Sequence, residues 1–406
     1  MEDKKKAVKK STVKRKKRSK ANRVMRAILI TLCVIAVVCL IVAGAAYFLI
    51  QHYIGKMDYQ ADEDQTTLAR EVASSILAEI DKQEGQSQQY FTQVEVTDAA
   101  GVVIGTEQVE IDLSKLTPDI IESIEEQAKV VESSVMQQQS SVQQATPIAS
   151  SSDVYNILLI GVDNRAGSNW NGNSDTMILL TINSAKQRVY MTSFMRDTYV
   201  NIPGVGARKL NAAHAVGGGP LLCQTIEQNF RVNVNAYARV NFYSMIEIID
   251  AIGGVDLSIS ADEARVANNY INEMCRGVGL DPKDYYVSEG AIHLNGMQAV
   301  AYMRIRYVGS DYARTQRQRT VLTLMFQKLK GMDIGSINNF LNTALPLVTH
   351  NIPGDKMTSL ILNVLTYLSY PLEQYRVPFD GHFVSQNYNL LPDFNYTVNL
   401  LQQILY

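Results

Sequence analysis

The run VYNILLIGVDNR at residues 154–165 is apolar apart from Asn156 as far as Val162, then closes on an acid, Asp163, and an arginine, Arg165. A short Ile- and Leu-rich run bounded by turn residues reads as a buried strand. Open α/β sheets bind ligands beyond the carboxyl ends of their strands, which is where Asp163 and Arg165 fall. Downstream, 176–182 and 188–194 read as two more strands. A helix over about 220–230, a strand at 236–240, a helix at 242–252 and a strand at 255–259 follow. Further helices open at Gly296, Arg314 and Met357. Alternating elements of this kind predict an α/β domain whose sheet is covered by helices. The sheet should be mixed, because the first three strands are joined by connections too short for helical crossovers.

The strand ends carry the chemistry. Ser174-Asp175-Thr176 opens the second strand, and Ser193-Phe194-Met195-Arg196-Asp197 closes the third. Asp163 and Asp175 at one sheet edge could hold Mg²⁺, which takes one or two carboxylates with water and phosphate oxygens; each aspartate also reads as an ordinary turn residue. Arg196-Asp197 reads either as a salt bridge or as part of a charged cleft shared by the three strand ends. Further on stand Tyr302-Met303-Arg304-Ile305-Arg306-Tyr307-Val308, then Asp311, Arg314, Arg317, Gln318 and Arg319. If 302–308 is extended, Arg304 and Arg306 share a face. If a helix begins near Asp311, then Asp311, Arg314 and Gln318 share one too. Converging guanidinium forks suit a pyrophosphate; the alternative is a solvated basic helix. Lys209-Leu210-Asn211 and Gly217-Gly218-Gly219 precede a helix start at Pro220, and His214 has no metal-ligand neighbours. No serine-hydrolase elbow, Walker loop or dinucleotide fingerprint occurs.

The 406 residues leave room for more than one unit. The formal charge of -2 conceals an asymmetry: residues 1–26 carry 13 of the 38 Lys and Arg and two acids, which leaves 25 basic against 38 acidic side chains elsewhere. Residues 27–50, AILITLCVIAVVCLIVAGAAYFLI, contain no charge and are long enough as a helix to span a bilayer. The basic flank keeps 1–26 in the cytoplasm and sends the rest outside; a cleaved signal peptide is the alternative, although the apolar run is long for one. Beside a membrane span the tail serves topology and anionic lipid, not nucleic acid. Residues 51–136 read as an extracellular stalk or small accessory region, with helix over 62–82, a hairpin over 94–111 and a second helix over 117–136. The Gln- and Ser-rich 137–153 reads as a linker. Cys33 and Cys39 lie in the apolar run, and whether Cys223 pairs with Cys275 is left open by sequence.

Taken in this order, residues 161–165, 174–177, 193–200, 209–211 and His293-Leu294-Asn295-Gly296 leading into 302–318 resemble the LytR-CpsA-Psr (LCP) family of Gram-positive cell-envelope phosphotransferases. The resemblance covers roughly 154–378. It implies a three-layer α/β/α catalytic domain with a mixed central sheet (the LCP fold) over about 154–380, followed by a C-terminal segment, 381–406. It also implies an apolar tunnel for a polyprenyl chain, and transfer of a phosphate-linked glycopolymer, teichoic acid or capsule, from a polyprenyl pyrophosphate donor to peptidoglycan. Asp163 and Asp175 match the metal-binding acids, for Mg²⁺ or Mn²⁺. Arg165, Arg196, Arg304, Arg306, Arg314 and Gln318 match the pyrophosphate contacts, and Asp197 and Asp311 the acids near the reacting centre. This sequence has Asn173 and Met195 where many members have Arg and Pro. A pyrophosphate hydrolase and a non-catalytic envelope glycan binder are the rival readings.

Overall fold

The structure, a computed structural model, describes residues 52, 55–56, 58–59, 90–97, 103–111, 118–162, 172–306, 308–309 and 311–406. The basic tail, the apolar run at 27–50, the helix read over 62–82, and Asp163 and Arg165 all lie outside them. Among the described residues no helix is long and apolar enough to cross a membrane. The chain divides into two units, Met1–Lys56 and Met57–Tyr406, and the fold described here is that of the second.

Its centre is a mixed seven-stranded sheet. The strands are β1 (Asp58–Tyr59), β4 (Val154–Val162), β5 (Ser174–Asn183), β6 (Arg188–Phe194), β9 (Ala236–Asn241), β12 (Thr349–His350) and β13 (Leu372–Val377), in the order β1-β12-β9-β4-β5-β6-β13. β4, β5 and β6 run antiparallel, as their short connections require, while β9 lies parallel to β4 and β13 parallel to β6. Hairpins β2/β3 (Tyr90–Thr97, Val103–Ile111), β7/β8 (Tyr199–Ile202, Gly206–Lys209), β10/β11 (Val255–Ile259, Gly290–Leu294) and β14/β15 (Phe383–Gln386, Asn389–Pro392) stand outside it. The strand read at 255–259 therefore exists but pairs with a sequence partner that is not in the main sheet.

The period of two along β4 separates the faces. Leu158, Ile160 and Val162 enter a core with Met177 and Leu179 of β5, covered by Leu222, Ile226 and Phe230 of α2 (Asn211–Phe230) and by Phe394, Val398 and Leu401 of α10 (Phe394–Leu405). The opposite face meets a second core. It is built by α3 (Phe242–Ala251), α4 (Ala261–Val278), α5 (Gly296–Met303) and α6 (Asp311–Lys330), with Ile249, Ile271, Val300 and Val321 at its centre. Asn241, Ser260 and Asn295 start α3, α4 and α5 as side-chain N-caps, the last two with full capping boxes.

Several sequence expectations give way. α1 (Pro118–Ala145) continues through 137–145, where Gln and Ser predict a linker: Val142 is buried in the first core and Gln139 bonds the buried Asn229, so the polar residues pack rather than connect. The C-terminal segment, 381–406, packs with the catalytic domain it follows, since α10 closes the first core. α2 begins at Asn211, not Pro220; it breaks at Gly217 and Gly218, and helix resumes as Pro220 implies. The extended segment read over 302–308 does not begin at Tyr302, because α5 runs to Met303 and Arg304 caps it in helical conformation. Cys223 packs on the first core while Cys275 is a free buried thiol in the second, so no disulfide joins them.

Candidate active site

Three strand and helix ends converge on Asp175. In the β4/β5 ladder Gly161 faces Thr176 and Val162 faces Ser174, which leaves Asp175 as the extra residue of a bulge. A bulge re-aims a side chain, and here it sends the carboxylate into a group of arginines. Arg196, just past β6, reaches Asp175 Oδ1 with Nη1 at 3.1 Å; Arg306 reaches Oδ2 with Nη2 at 2.7 Å; Arg314 Nη1 lies 3.6 Å from Oδ1. Arg196 Nε also bonds Asp197 at 3.3 Å and lies 3.9 Å from Asp311, and Lys209 Nζ is 3.4 Å from Asp197. Arg314 and Asp311, one helical turn apart on α6, pair at 2.8 Å. Among the described residues Arg196, Lys209, Arg306 and Arg314 thus face Asp175, Asp197 and Asp311, four cations against three carboxylates.

The balance inside this group is uneven. Burial pushes the Asp175 carboxyl up, but Arg306, Arg314 and Arg196 outweigh it and hold it below the usual carboxylate range. For Asp311 burial prevails over Arg314 and Arg196, and its carboxyl stands above that range. Among the described residues, Asp311 Oδ2 and the Nε and Nη1 of Arg314 are buried with no hydrogen-bond partner, and Arg314 as a whole is 2 % exposed. Orphaned buried polar atoms cost roughly 1–3 kcal/mol each. Three in one ion pair mark a site shaped for a ligand.

An apolar cavity of about 510 Å³ opens beside this pair. Its floor on the sheet is lined by small residues, Gly161, Thr176 and Ala238; a Cβ at Gly161 would stand 3.0 Å from Thr176. The walls include Met245, Ile248, Leu322 and Met325, and Arg306, Arg314 and Gln318 line its polar end. Arg304 lines the cavity too but leaves the Asp175 group: it bonds Glu273 at 3.3 Å, its guanidinium 4.4 Å from the Phe242 ring centre and 4.9 Å from that of Tyr270. The two arginines part because Arg304 caps α5 while Arg306 lies beyond the helix end.

Two residues gain a role that local pattern did not assign. Arg317, buried on α6, bonds Glu263 at 2.8 Å and donates to the carbonyls of Ile305 and Val308, clamping both sides of the turn that carries Arg306. Lys209 extends the cluster beyond Asp197. The only sequence signals for them were membership of a basic run and of a short motif. His214 has a structural partner: Nδ1 lies 2.7 Å from the carbonyl of Gly172, and burial lowers its pKa to about 4.

Among the described residues no group of three or more His, Cys, Asp or Glu side chains is arranged to hold a metal. Of the two metal candidates, only Asp175 is described. Its donor chemistry suits Mg²⁺ in part, since Oδ2 takes a single hydrogen bond and retains a lone pair, and Mg²⁺ needs only one or two carboxylates when phosphate oxygens are present.

Residues 118–403 match the model of the LytR_cpsA_psr family. The polyisoprenyl-teichoic acid–peptidoglycan teichoic acid transferase TagU of Oceanobacillus iheyensis is 36% identical over 220 residues, 52% of this chain and 63% of the relative. The TagU of Bacillus cereus is 32% identical over 239 residues, 57% and 71%. The first relatives are thus matched over about three-fifths of their length. The solved structure of TagT bound to LI-WTA is 24% identical, with a TM-score of 0.49 over 65% of this chain and 94% of that one.

Proposed function

This chain belongs to the LytR_cpsA_psr family, and from that premise we propose that it transfers a phosphate-linked glycopolymer, such as teichoic acid or capsule, from a polyprenyl pyrophosphate carrier to peptidoglycan. The observation that carries this reading is Arg314, buried at the polar end of an apolar cavity with Nε and Nη1 lacking hydrogen-bond acceptors among the described residues. A ligand that satisfies both features has an apolar tail joined to an anion. The names of the relatives, teichoic acid transferases acting on peptidoglycan, supply the donor and acceptor classes.

In the proposed reaction the tail occupies the cavity. Arg306, Arg314, Arg196 and Gln318, with Arg165 outside the described residues, bind the pyrophosphate oxygens and neutralise charge that builds on them. A peptidoglycan hydroxyl attacks the glycan-bearing phosphorus, its proton passes to Oδ2 of Asp311, and the bond to polyprenyl phosphate breaks. Asp311 is preferred to Asp197 as the base because its Oδ2 has no partner among the described residues and burial raises its carboxyl, whereas Asp197 is held by Arg196 and Lys209. Asp175, with Asp163, would hold Mg²⁺ or Mn²⁺, which when bound adds further charge neutralisation. Residues 27–50 would anchor the enzyme in the cell membrane, with the catalytic unit outside, and so confine it to the surface that bears its donor.

The test uses purified full-length protein with lipid-linked donor, with and without peptidoglycan. Release of polyprenyl phosphate should require the acceptor and should be lost in Arg314→Gln. Release at the same rate without acceptor would replace this reading with hydrolysis.

A further inference from the structure

The β14/β15 hairpin turns on two residues, since Gln386 pairs with Asn389. Asn387 and Tyr388 between them have φ of 50° and 57°. This is the backbone of a type I′ turn, whose second position favours glycine, and a bulky side chain there is strained. Strained backbone persists where the side chain it carries is used.

The hairpin is fixed against the active-site loop. The Leu390 amide donates to the Asp197 carbonyl at 2.8 Å, and Thr198 bridges Leu390 in register. The Tyr388 ring, 36% exposed, has Lys209 Nζ 5.9 Å from its centre, and that same nitrogen is 3.4 Å from Asp197. Beside it the Asn387 Oδ1 is a buried acceptor with no partner among the described residues. The apolar cavity borders Asp175, Arg306 and Arg314; Arg196, Asp197 and Lys209 carry the charged group onward from there to Tyr388. An aromatic face, an ammonium that reaches Asp197 and, on the adjoining turn residue, an amide oxygen without a partner among the described residues match a pyranose: its C–H face packs on the ring and its hydroxyls or acidic substituent meet the polar groups.

We propose that Tyr388, with Lys209 and Asn387, forms a platform for a sugar ring beside the reacting centre. The sugar belongs either to the donor's glycan or to the acceptor strand, and that choice rests on the transferase reading. The test compares full-length protein with Tyr388→Gly and Tyr388→Phe. Binding without turnover is measured for a peptidoglycan glycan-strand fragment, a short-chain polyprenyl-pyrophosphoryl disaccharide and the same lipid pyrophosphate lacking sugar.

The glycine variant should not lower the unfolding temperature, because it relieves the turn. It should weaken one sugar-bearing ligand about three- to tenfold and leave the sugar-free lipid unchanged, while Phe stays within about twofold of the unaltered chain. The weakened arm identifies the sugar's source. Unchanged binding of both sugar ligands in the glycine variant, or no binding of either by the unaltered chain, overturns the platform. Failure to bind the sugar-free lipid would instead count against the transferase reading, and the glycan-fragment arm would still decide the platform.

Discussion

Arg314 donates from Nη2 to Oδ1 of Asp311 at 2.8 Å and leaves Asp311 Oδ2 buried with no partner among the described residues. The pair fixes the carboxylate's orientation while keeping one oxygen open. This is the geometry required of a base that must accept a proton without first shedding a hydrogen bond.

Asp311→Asn should lower the transfer rate by about 10²–10⁴-fold, the usual contribution of a positioned base, with donor affinity little changed. Because burial raises the Asp311 carboxyl, the rate of the unaltered enzyme should fall as pH drops through a value above the ordinary carboxylate range. A rate–pH profile whose acid limb sits at the ordinary carboxylate value would remove Asp311 from this role.

Arg317→Gln should loosen the turn bearing Arg306. Loss of the Glu263 pair and of two carbonyl contacts should cost about 3 kcal/mol in urea unfolding. Donor binding should weaken as well, because Arg306 loses the support of its neighbouring carbonyls. Unaltered donor affinity in a folded Arg317→Gln protein would show that Arg306 needs no clamp.

Stability should depend on His214. The unfolded imidazole takes up a proton near pH 6.5, but the folded one does so only near pH 4 because burial disfavours the charge. Its contribution is complete above pH 6.5 and declines as pH falls towards 4, by about 3 kcal/mol in all. The difference between unfolding curves of the unaltered protein and His214→Asn, taken across that window, isolates this share.

Gly219→Ala should destabilise by about 1–3 kcal/mol, since the added Cβ would lie 2.8 Å from the Tyr237 ring. Thermal unfolding checks it, and a neutral result would mean that the kink at Gly217 and Gly218 absorbs the methyl group.

Chelation should slow transfer, and Mn²⁺ should restore it. Asp175→Asn should abolish Mn²⁺ binding, followed by paramagnetic relaxation without substrate turnover. Metal binding that survives this change would leave Asp175 solely as the organiser of three arginines.

Amino-acid order alone determined most strands of the main sheet and the gathering of charged residues at their ends. Apolar run length and period are local properties, so β4, β5, β6, β9 and the starts of α3, α5 and α6 were legible, as was the excess of Arg and Asp at their ends. Packing decided what those residues do. The bulge that turns Asp175 inward depends on pairing between β4 and β5. The separation of Arg304 from Arg306 follows from where α5 stops against Phe242 and Tyr270. Residues 137–145 look like a linker by composition and become helix because Val142 and Gln139 find buried partners on α2. The Asp311 oxygen that has no partner among the described residues carries no sequence signal, because only the assembled tertiary structure determines which groups stand close enough to bond it.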